Sequence, residues 1–238
     1  VKFKDDIQWL PNHTTTLGFD LYRLYDNGNT RDAEKNERIY KKSGFLQHRW
    51  DILPSLELTL GLRYEYVKIH INNLSGSGAL WNPAFADEMV SRDWNQFVPK
   101  SFLTYKMDEL APWLRYTSLS VGVSKIWRAP DYHGDYNPQG RPAGLFLEPE
   151  HGVGYDFILS RRLWRDIALK VNYSFYQIED YIATNSSYAN FSGGGAGALR
   201  FSDYKVNLEE VYRHGIDVEM GGHIIDDLYF YLSYSWQD

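Results

Sequence analysis

Alternation of apolar and polar residues is the feature that most constrains how this chain can fold. Between Leu56 and Tyr66 every even-numbered residue is Leu or Tyr, and every odd-numbered residue is Glu, Thr, Gly or Arg. A period of two fits a β-strand whose two faces meet different media, and it does not fit a helix, whose apolar stripe follows a longer period. The pattern recurs over Ile167–Phe175 and Leu228–Trp236. With weaker examples it predicts about ten strands.

Weaker alternation marks the remaining strands. It runs through Leu17–Leu21, Leu119–Val123, Val153–Leu159 and Ile216–Met220. Another strand pattern, over Trp94–Tyr105, contains Pro99. Because proline has no N–H group to donate to a neighbouring strand, we expect a bulge or an edge-like irregularity there.

Connections between the predicted strands alternate in length. The short ones are Pro11–His13, Leu53–Ser55, Asp108–Pro112, Arg161–Asp166 and Ile225–Asp227. The long ones are Tyr25–Arg38, Ile71–Asp93, Ala129–Phe146 and Thr184–Asp203. Short turns on one side and long loops on the other are typical of periplasmic turns and extracellular loops. The sequence therefore predicts an all-β fold, a segment of an antiparallel transmembrane β-barrel.

Composition excludes several other classes of protein. No run approaches the roughly 18 apolar residues of a membrane helix, and the mean hydropathy is -0.49. A net charge of -6 disfavours a nucleic-acid surface. The chain has no cysteine, so it offers no disulfide and no thiolate metal site. A soluble all-β protein, such as a sandwich or a carbohydrate-binding domain, remains the main alternative fold.

Two details weigh against the soluble alternative. The polar face carries large charged groups at Arg63, Glu65, Lys170 and Asp217. The apolar face ends in rings, at Tyr64 with Tyr66 and at Tyr234 with Trp236, and aromatic residues are 16% of the chain. Rings at strand ends are typical of the boundary between hydrocarbon and water.

An ordered set of short motifs gives the chain a family resemblance. The motifs are Leu58–Tyr64, Trp127-Arg128-Ala129-Pro130, Leu147-Glu148-Pro149-Glu150, Ile178–Ile182, His214–Glu219 and Tyr231–Trp236. In this order they resemble the β-barrel of TonB-dependent outer-membrane receptors. Each motif alone is weakly specific, whereas the ordered set covers nearly the whole chain.

The resemblance implies a function. It points to a receptor in the outer membrane of a Gram-negative bacterium that binds a scarce nutrient, a ferric siderophore first of all, and imports it with energy from the TonB complex. Haem, cobalamin and glycans are the alternative ligands. The implied partners are the small nutrient, a plug domain, the TonB complex, and outer-membrane lipid with lipopolysaccharide. It implies no enzyme activity, no cofactor, no metal and no nucleic acid.

The resemblance also implies that residues 1–238 are a partial barrel domain. Outer-membrane transporters close about 22 strands around a plug, and this chain supplies about ten. We therefore expect the plug, the coupling segment, and the first and closing strands to lie outside it, and we expect the isolated fragment not to insert alone.

Candidate ligand-binding residues lie in the third long loop: Tyr132, His133, Tyr136 and Arg141. Rings and a cation can hold a planar or anionic ligand. His133 also lies between Pro130 and an Asn-Pro pair, which resembles the haem receptors of the family. The charged residues Arg63, Glu65, Lys170 and Asp217 are expected to line a wet lumen and face the plug.

The motif Trp127-Arg128-Ala129-Pro130 is explained more simply by structural roles than by ligand binding. Pro130 would end a strand, and Trp127 would join an aromatic girdle. Arg128 would face either plug carboxylates or lipid-sugar phosphates.

Two other function classes stay open. A passive porin shares the strands, girdles and short turns. A serine hydrolase would need His48, His70, His133 or His151 beside a nucleophile and an acid, and the sequence contains no nucleophile-elbow motif.

Overall fold

The fold is one antiparallel sheet. The computed structural model describes residues 1–26, 29–30, 33–73, 89–130, 147–164, 166–184 and 205–238. In the sheet, ten strands follow one another as neighbours in chain order, and a short additional strand pairs beside them. The predicted all-β, antiparallel class is confirmed, because every pairing in the sheet is antiparallel.

The strands are long and joined by tight turns. They are β1 Lys2–Leu10, β2 His13–Asp26, β3 Asn29–Thr30, β4 Ala33–Leu53, β5 Leu56–Asn73, β6 Met89–Lys106, β7 Thr117–Arg128, β8 Glu150–Trp164, β9 Ile167–Thr184, β10 Lys205–Ile225 and β11 Leu228–Gln237. A 3-10 turn, Pro112–Leu114, lies between β6 and β7. The described residues contain no helix long and apolar enough to cross a membrane.

Chain connections differ between the two ends of the sheet, as the sequence predicts. At one end, called the turn end, β1–β2, β4–β5 and β10–β11 are joined by tight turns. At the other end, called the loop end, the prediction of long loops is only partly right. The loop expected over Tyr25–Arg38 is largely strand, because β2 pairs with β4 as far as Asp26 and Glu37. Likewise β5 pairs with β6 as far as Asn72 and Met89. Ladder hydrogen bonds thus extend the wall beyond the apolar band.

The sheet has an outer face and an inner face. The outer face is defined by the even-numbered residues of β5 from Leu56 to His70 and the residues opposite them, and the inner face by the odd-numbered ones. Outer-face side chains stay open, with Leu46 50% and Leu62 44% exposed. Apolar surface left open in this way needs an apolar medium to cover it.

Aromatic rings border the apolar part of the outer face. Towards the loop end, Tyr64 contacts Phe97 at 5.0 Å between ring centroids. The row continues on β8 to β10, where Phe175 stacks with Tyr155 and Tyr212 at 6.1 Å each. Towards the turn end, Trp9, Trp50 and Trp164 are exposed near the turns. These two borders are the girdles expected of a membrane barrel.

The polarity of the faces inverts above Tyr66. On β5 the inner face is charged at Arg63 and Glu65, but the next inner residues are Val67 and Ile69, each 4% exposed. They form a buried cluster with Ile39, which is also 4% exposed and lies on the inner face of β4. Towards the loop end, therefore, the interior of the wall is apolar and the outer face becomes polar.

Pro99 does not interrupt its strand. β6 is continuous, and Pro99 lies opposite Leu62 without a register shift, so the expected bulge is wrong. The irregularity falls on the other side, where pairing of β6 with β7 begins at Lys106 and Ser118 and stops at Lys100 and Ser124. The β6–β7 ladder thus stops at Lys100, next to Pro99, which has no N–H group to donate.

The assignment of faces predicts opposite responses at adjacent residues of β9. Val171 lies on the outer face between Leu159 and Val218, whereas Asn172 lies on the inner face opposite Asp217. Val171→Lys should lower the free energy of unfolding by about 2–4 kcal/mol, because it places a charge near the middle of the apolar band. Asn172→Lys should cost little. Urea unfolding in detergent micelles measures both, and equal losses would contradict the assignment.

Candidate functional site

The candidate site lies at the loop end, where β7 and β8 meet. Pro130 follows β7 and is fully buried, and Leu147 precedes β8 and is 4% exposed. These two buried residues flank segment 131–146, which lies outside the described residues. The Ala-Pro and Leu-x-Pro-Glu motifs of the sequence thus lie on either side of that segment.

Glu148 connects distant strands across the inner face. Its backbone N–H donates to Oδ1 of Asn207 at 2.9 Å, and its carbonyl accepts from Nδ2 of Asn207 at 2.9 Å. Its carboxylate accepts from Nη2 of Arg92 at 3.3 Å. Asn207 belongs to β10 and Arg92 to β6, and both lie on the inner face. Residues 147–149, called the strap, therefore bridge β6 and β10 inside the curved sheet.

Glu150 anchors the strap to β7 and β9. Its carboxylate accepts from Nε of Arg128 at 2.7 Å and from Nη2 at 2.8 Å, which is a bidentate ion pair. It also accepts from the backbone N–H of Ile182 at 2.8 Å. Glu150 is 5% exposed. A buried carboxylate that accepts three hydrogen bonds holds both motifs in one position.

Charge at Glu150 is stabilised in spite of its burial. Burial raises the pKa of the Glu150 carboxyl, but hydrogen bonds from Arg128 and Ile182, together with the charges of Arg128 and Arg213, outweigh it. The net effect lowers the pKa below its ordinary value of 4.5. Glu150 therefore stays ionised at neutral pH.

The structure describes the contacts of two residues of the first motif. With Ala129, Trp127 packs against the Ile39, Val67 and Ile69 cluster, and in the β7–β8 ladder it lies opposite His151; its place in a girdle stays a prediction. Arg128 forms an ion pair with Glu150, its cross-strand partner in the same ladder. Contact of Arg128 with plug carboxylates or lipid-sugar phosphates stays a prediction.

The predicted lumen charges all lie on the inner face, in two separate groups, one on β5 and one on β9 and β10. Arg63 donates to Glu65 and, at 2.7 Å, to the hydroxyl of Ser43. Lys170 lies opposite Glu219, and Asp217 accepts from the hydroxyl of Ser235. Each pair is partly exposed, so its contribution to stability is small. Contact of these groups with a plug stays a prediction.

The ligand-binding candidates Tyr132, His133, Tyr136 and Arg141 lie outside the described residues. The other histidines singled out by the sequence are separated. His48 contacts His13 and Thr15 on the outer face, His70 lies towards the loop end of β5, and His151 contacts Glu179 on β8 and β9. Within the described ranges, no three His, Cys, Asp or Glu side chains form a group that could hold a metal ion.

Sequence reasoning missed Arg92, Asn207 and Ile182. Nothing in their local pattern marks them, because Asn207 meets Glu148 across 59 residues of chain and Ile182 meets Glu150 across 32. Only the curvature and register of the sheet bring these groups to the strap.

A family comparison covers almost the whole chain. The model described as "TonB dependent receptor-like, beta-barrel" matches residues 2–238. The search of curated proteins gives no match.

Solved structures share the fold at low sequence identity. The copper transporter OprC matches with a TM-score of 0.70 at 15% identity, over 99% of this chain and 36% of its own. The alcaligin outer-membrane receptor FauA from Bordetella pertussis matches with a TM-score of 0.62 at 15% identity, over 99% and 37%. The Serratia marcescens hemophore receptor HasR, solved with its hemophore HasA and heme, matches with a TM-score of 0.60 at 16% identity, over 100% and 40%. The chain thus spans well under half the length of each.

The buried carboxylate of Glu150 should make the free energy of unfolding depend on pH. Glu150→Gln should lower the free energy of unfolding by about 1–3 kcal/mol at pH 7, because it removes the ion pair with Arg128. Since the pKa of Glu150 is lowered in the folded state, its contribution is complete above pH 4.5 and is lost as pH falls through the folded-state value. Thermal unfolding from pH 7 to pH 3 should show the two proteins converging.

Glu148→Gln is the matched control for that experiment. Its carboxylate is 56% exposed and meets Arg92 at 3.3 Å, so the substitution should cost no more than about 1 kcal/mol. Equal losses for the two variants, or a Glu150→Gln defect that does not shrink as the pH falls below 4.5, would contradict the role given to Glu150.

Proposed function

The chain belongs to the TonB-dependent receptor β-barrel family, and from this premise we propose that it forms part of the wall of an active-transport receptor. The receptor binds a scarce nutrient outside the cell and imports it across the outer membrane of a Gram-negative bacterium. Support comes first from the family match over residues 2–238. Transport receptors, not enzymes, are what the family and the matched structures have in common.

The geometry of the wall fits this role. An apolar outer face between two ring borders suits hydrocarbon, and the charged inner face suits a hydrated lumen. At the loop end the strap anchors the roots of segment 131–146 on the inner side.

We further propose that the rest of the barrel and a plug are needed for function. The matched structures are more than twice as long as this chain, which covers 36% to 40% of the three described above. β1 and β11 are the edges of the sheet. Open edges are not tolerated in hydrocarbon, so further strands must pair with them in the membrane. Residues 1–238 would then be a partial barrel domain, coupled to the TonB complex through the plug region.

A ferric siderophore is the proposed ligand class. FauA is described as an alcaligin receptor, and the FrpB proteins from Neisseria meningitidis as iron transporters. Tyr132, His133, Tyr136 and Arg141 are the proposed contacts in the third loop, because rings and a cation suit an anionic chelate. Haem, cobalamin and copper are the competing ligands, and the HasR and OprC structures are the reason to include haem and copper.

Uptake by the full-length receptor tests this proposal. A Gram-negative strain that lacks its own iron receptors should take up a labelled ferric siderophore when it carries the receptor, and deletion of the TonB complex should abolish uptake. The expected decrease is at least about tenfold, since the energy-coupling step is lost. Swelling of proteoliposomes in sugar solutions is the control: rapid, TonB-independent swelling would instead indicate a passive porin.

Haem as the ligand is tested at His133. If an imidazole at this position ligates haem iron, His133→Ala should weaken haem binding by at least about tenfold and shift the Soret band of the bound haem. The siderophore proposal expects neither change. Titration of the purified full-length receptor with haem, with His151→Ala as the control, measures both.

A further inference from the structure

An open cavity lies on the inner face of the sheet at the turn end, between β6 and β11. We call this space, which is bordered by Lys106, Tyr116, Lys170 and Tyr231, the turn-end cavity. Its volume is about 570 Å³, and sites that bind small molecules usually have volumes of about 300–1,000 Å³. The strap lies at the other end of the same strands. A space of this size can hold a small molecule that has passed along the lumen.

Small side chains form the floor of the turn-end cavity. They are inner-face residues on four adjacent strands, namely Ser118 of β7, Ser160 of β8, Ala168 of β9 and Gly221 of β10. Ser118 lies opposite Ser160 in the β7–β8 ladder, and Ala168 lies opposite Gly221 in the β9–β10 ladder. Because larger side chains stand on both sides of these four, the wall has a depression here.

Three cations of the inner face border this floor. Lys106 of β6 lies opposite Ser118, and Lys170 of β9 lies opposite Ser160. Arg162 is the next inner-face residue of β8 after Ser160. In the described part of the chain, none of these three cations takes part in a salt bridge. They can therefore bind an anion without first releasing another partner.

Carboxylates reduce this positive charge but do not cancel it. Two of them, Asp108 and Glu219, line the cavity together with the three cations and Arg161. Asp108 is already engaged, since its carboxylate accepts from the backbone N–H of Tyr116. The lining of four cations and two carboxylates thus has a net charge of +2.

An unusual backbone conformation holds Tyr116 beside Arg162. Tyr116 has a φ of 61°, in the left-handed region that residues other than glycine seldom adopt. Its N–H donates to Asp108, and its C=O accepts from the N–H of Arg162 at 3.0 Å. The guanidinium of Arg162 lies 5.3 Å from the centroid of the Tyr116 ring. Such conformations cost of order 1–3 kcal/mol and are concentrated at functional sites, ligand clamps among them.

Two further rings border the cavity on the side of β11. Tyr229 and Tyr231 are inner-face residues, because they lie opposite His223 and Gly221 of β10. A Cβ atom at Gly221 would be 3.1 Å from the hydroxyl of Tyr229 and 3.1 Å from the ring of Tyr231. Both side chains therefore lie close over the floor. Rings on β11 and cations on β6 to β9 thus face each other across a shallow space.

We propose that the turn-end cavity binds an anionic metal chelate with aromatic rings, as a second subsite that the imported ligand reaches after crossing the lumen. The inference rests on the proposed function and adds to it a site at the end opposite the strap. Cations suit the negative charge of such a chelate, and tyrosine rings suit its planar groups. Exposed cations hold an anion weakly, which suits a site that the ligand must leave again.

Fluorescence quenching at the floor of the cavity tests the proposal. Residues 1–238 contain no cysteine, so Ala168→Cys gives one attachment point for a fluorophore within them. The probe is the iron(III) complex of a hexadentate tris-catecholate, a trianion that quenches fluorescence on contact. Added to the purified complete receptor in detergent, it should quench the label saturably. Lys106→Gln/Arg162→Gln in the same background should weaken binding by at least about tenfold, because two cations are removed.

The matched control is Lys41→Gln/Lys100→Gln, which removes the same charge from the inner face of β4 and β6 outside the cavity. It should bind the probe as the unsubstituted labelled receptor does. A neutral iron(III) trihydroxamate without rings should bind at least about tenfold more weakly than the tris-catecholate. Every variant must keep the heat-modifiable migration of a folded barrel; if the double variant does not, Lys170→Gln replaces it, with about a threefold loss expected.

Four results would overturn the proposal. They are absence of saturable quenching, unchanged affinity of the cavity variant, equal loss in the control variant, and equal affinity for the neutral trihydroxamate. These measurements involve no uptake. A receptor that binds the probe here but imports no siderophore would refute the proposed function alone, and one that imports a siderophore without binding here would refute the second subsite alone.

Discussion

Satisfaction of backbone hydrogen bonds is the constraint on which the rest of this structure depends. In hydrocarbon an unpaired N–H or C=O group costs several kcal/mol, so a chain that crosses with strands must pair each strand along its whole apolar length. The antiparallel ladders meet that requirement between neighbouring strands of the sheet, except where pairing of β6 with β7 stops at Lys100 and Ser124 and along the open sides of β1 and β11. Because pairing fixes register, it also fixes which side chains face lipid and which face the lumen.

The inversion of polarity at Tyr66 follows from this constraint. Within the apolar band the outer face must be apolar, and charges such as Arg63 and Glu65 are confined to the inner face. Beyond the band that requirement ends, while the ladders of β4 and β5 continue. The inner face there can bury Val67 and Ile69, and the outer face can carry Lys68 and His70. At the loop end, therefore, the inner face of the sheet is apolar and buried, and the outer face is polar.

Contacts around the strap fix the residues on either side of segment 131–146 against the apolar interior at the loop end. Pro130 and Leu147 are buried, and Glu150 links β7, β8 and β9 through Arg128 and Ile182. Such a buried, hydrogen-bonded carboxylate is costly to leave unpaired, so it specifies one arrangement of the motifs. Short motifs that sequence analysis treats separately are in fact parts of a single contact network.

The sequence by itself determined the strands, their facing in the apolar band and the ends at which turns lie, because a period of two is local and does not depend on neighbours. It also marked Arg128 and Glu150, but as separate motifs. It misjudged the loop over Tyr25–Arg38, since continued pairing with an adjacent strand overrides local signals there. At Pro99 the alternative of a bulge was wrong, whereas the irregularity expected there is found where pairing of β6 with β7 stops. Only the tertiary structure decided which groups meet at the strap, because register and curvature bring Glu148 and Asn207 together across strands that are distant in the sequence.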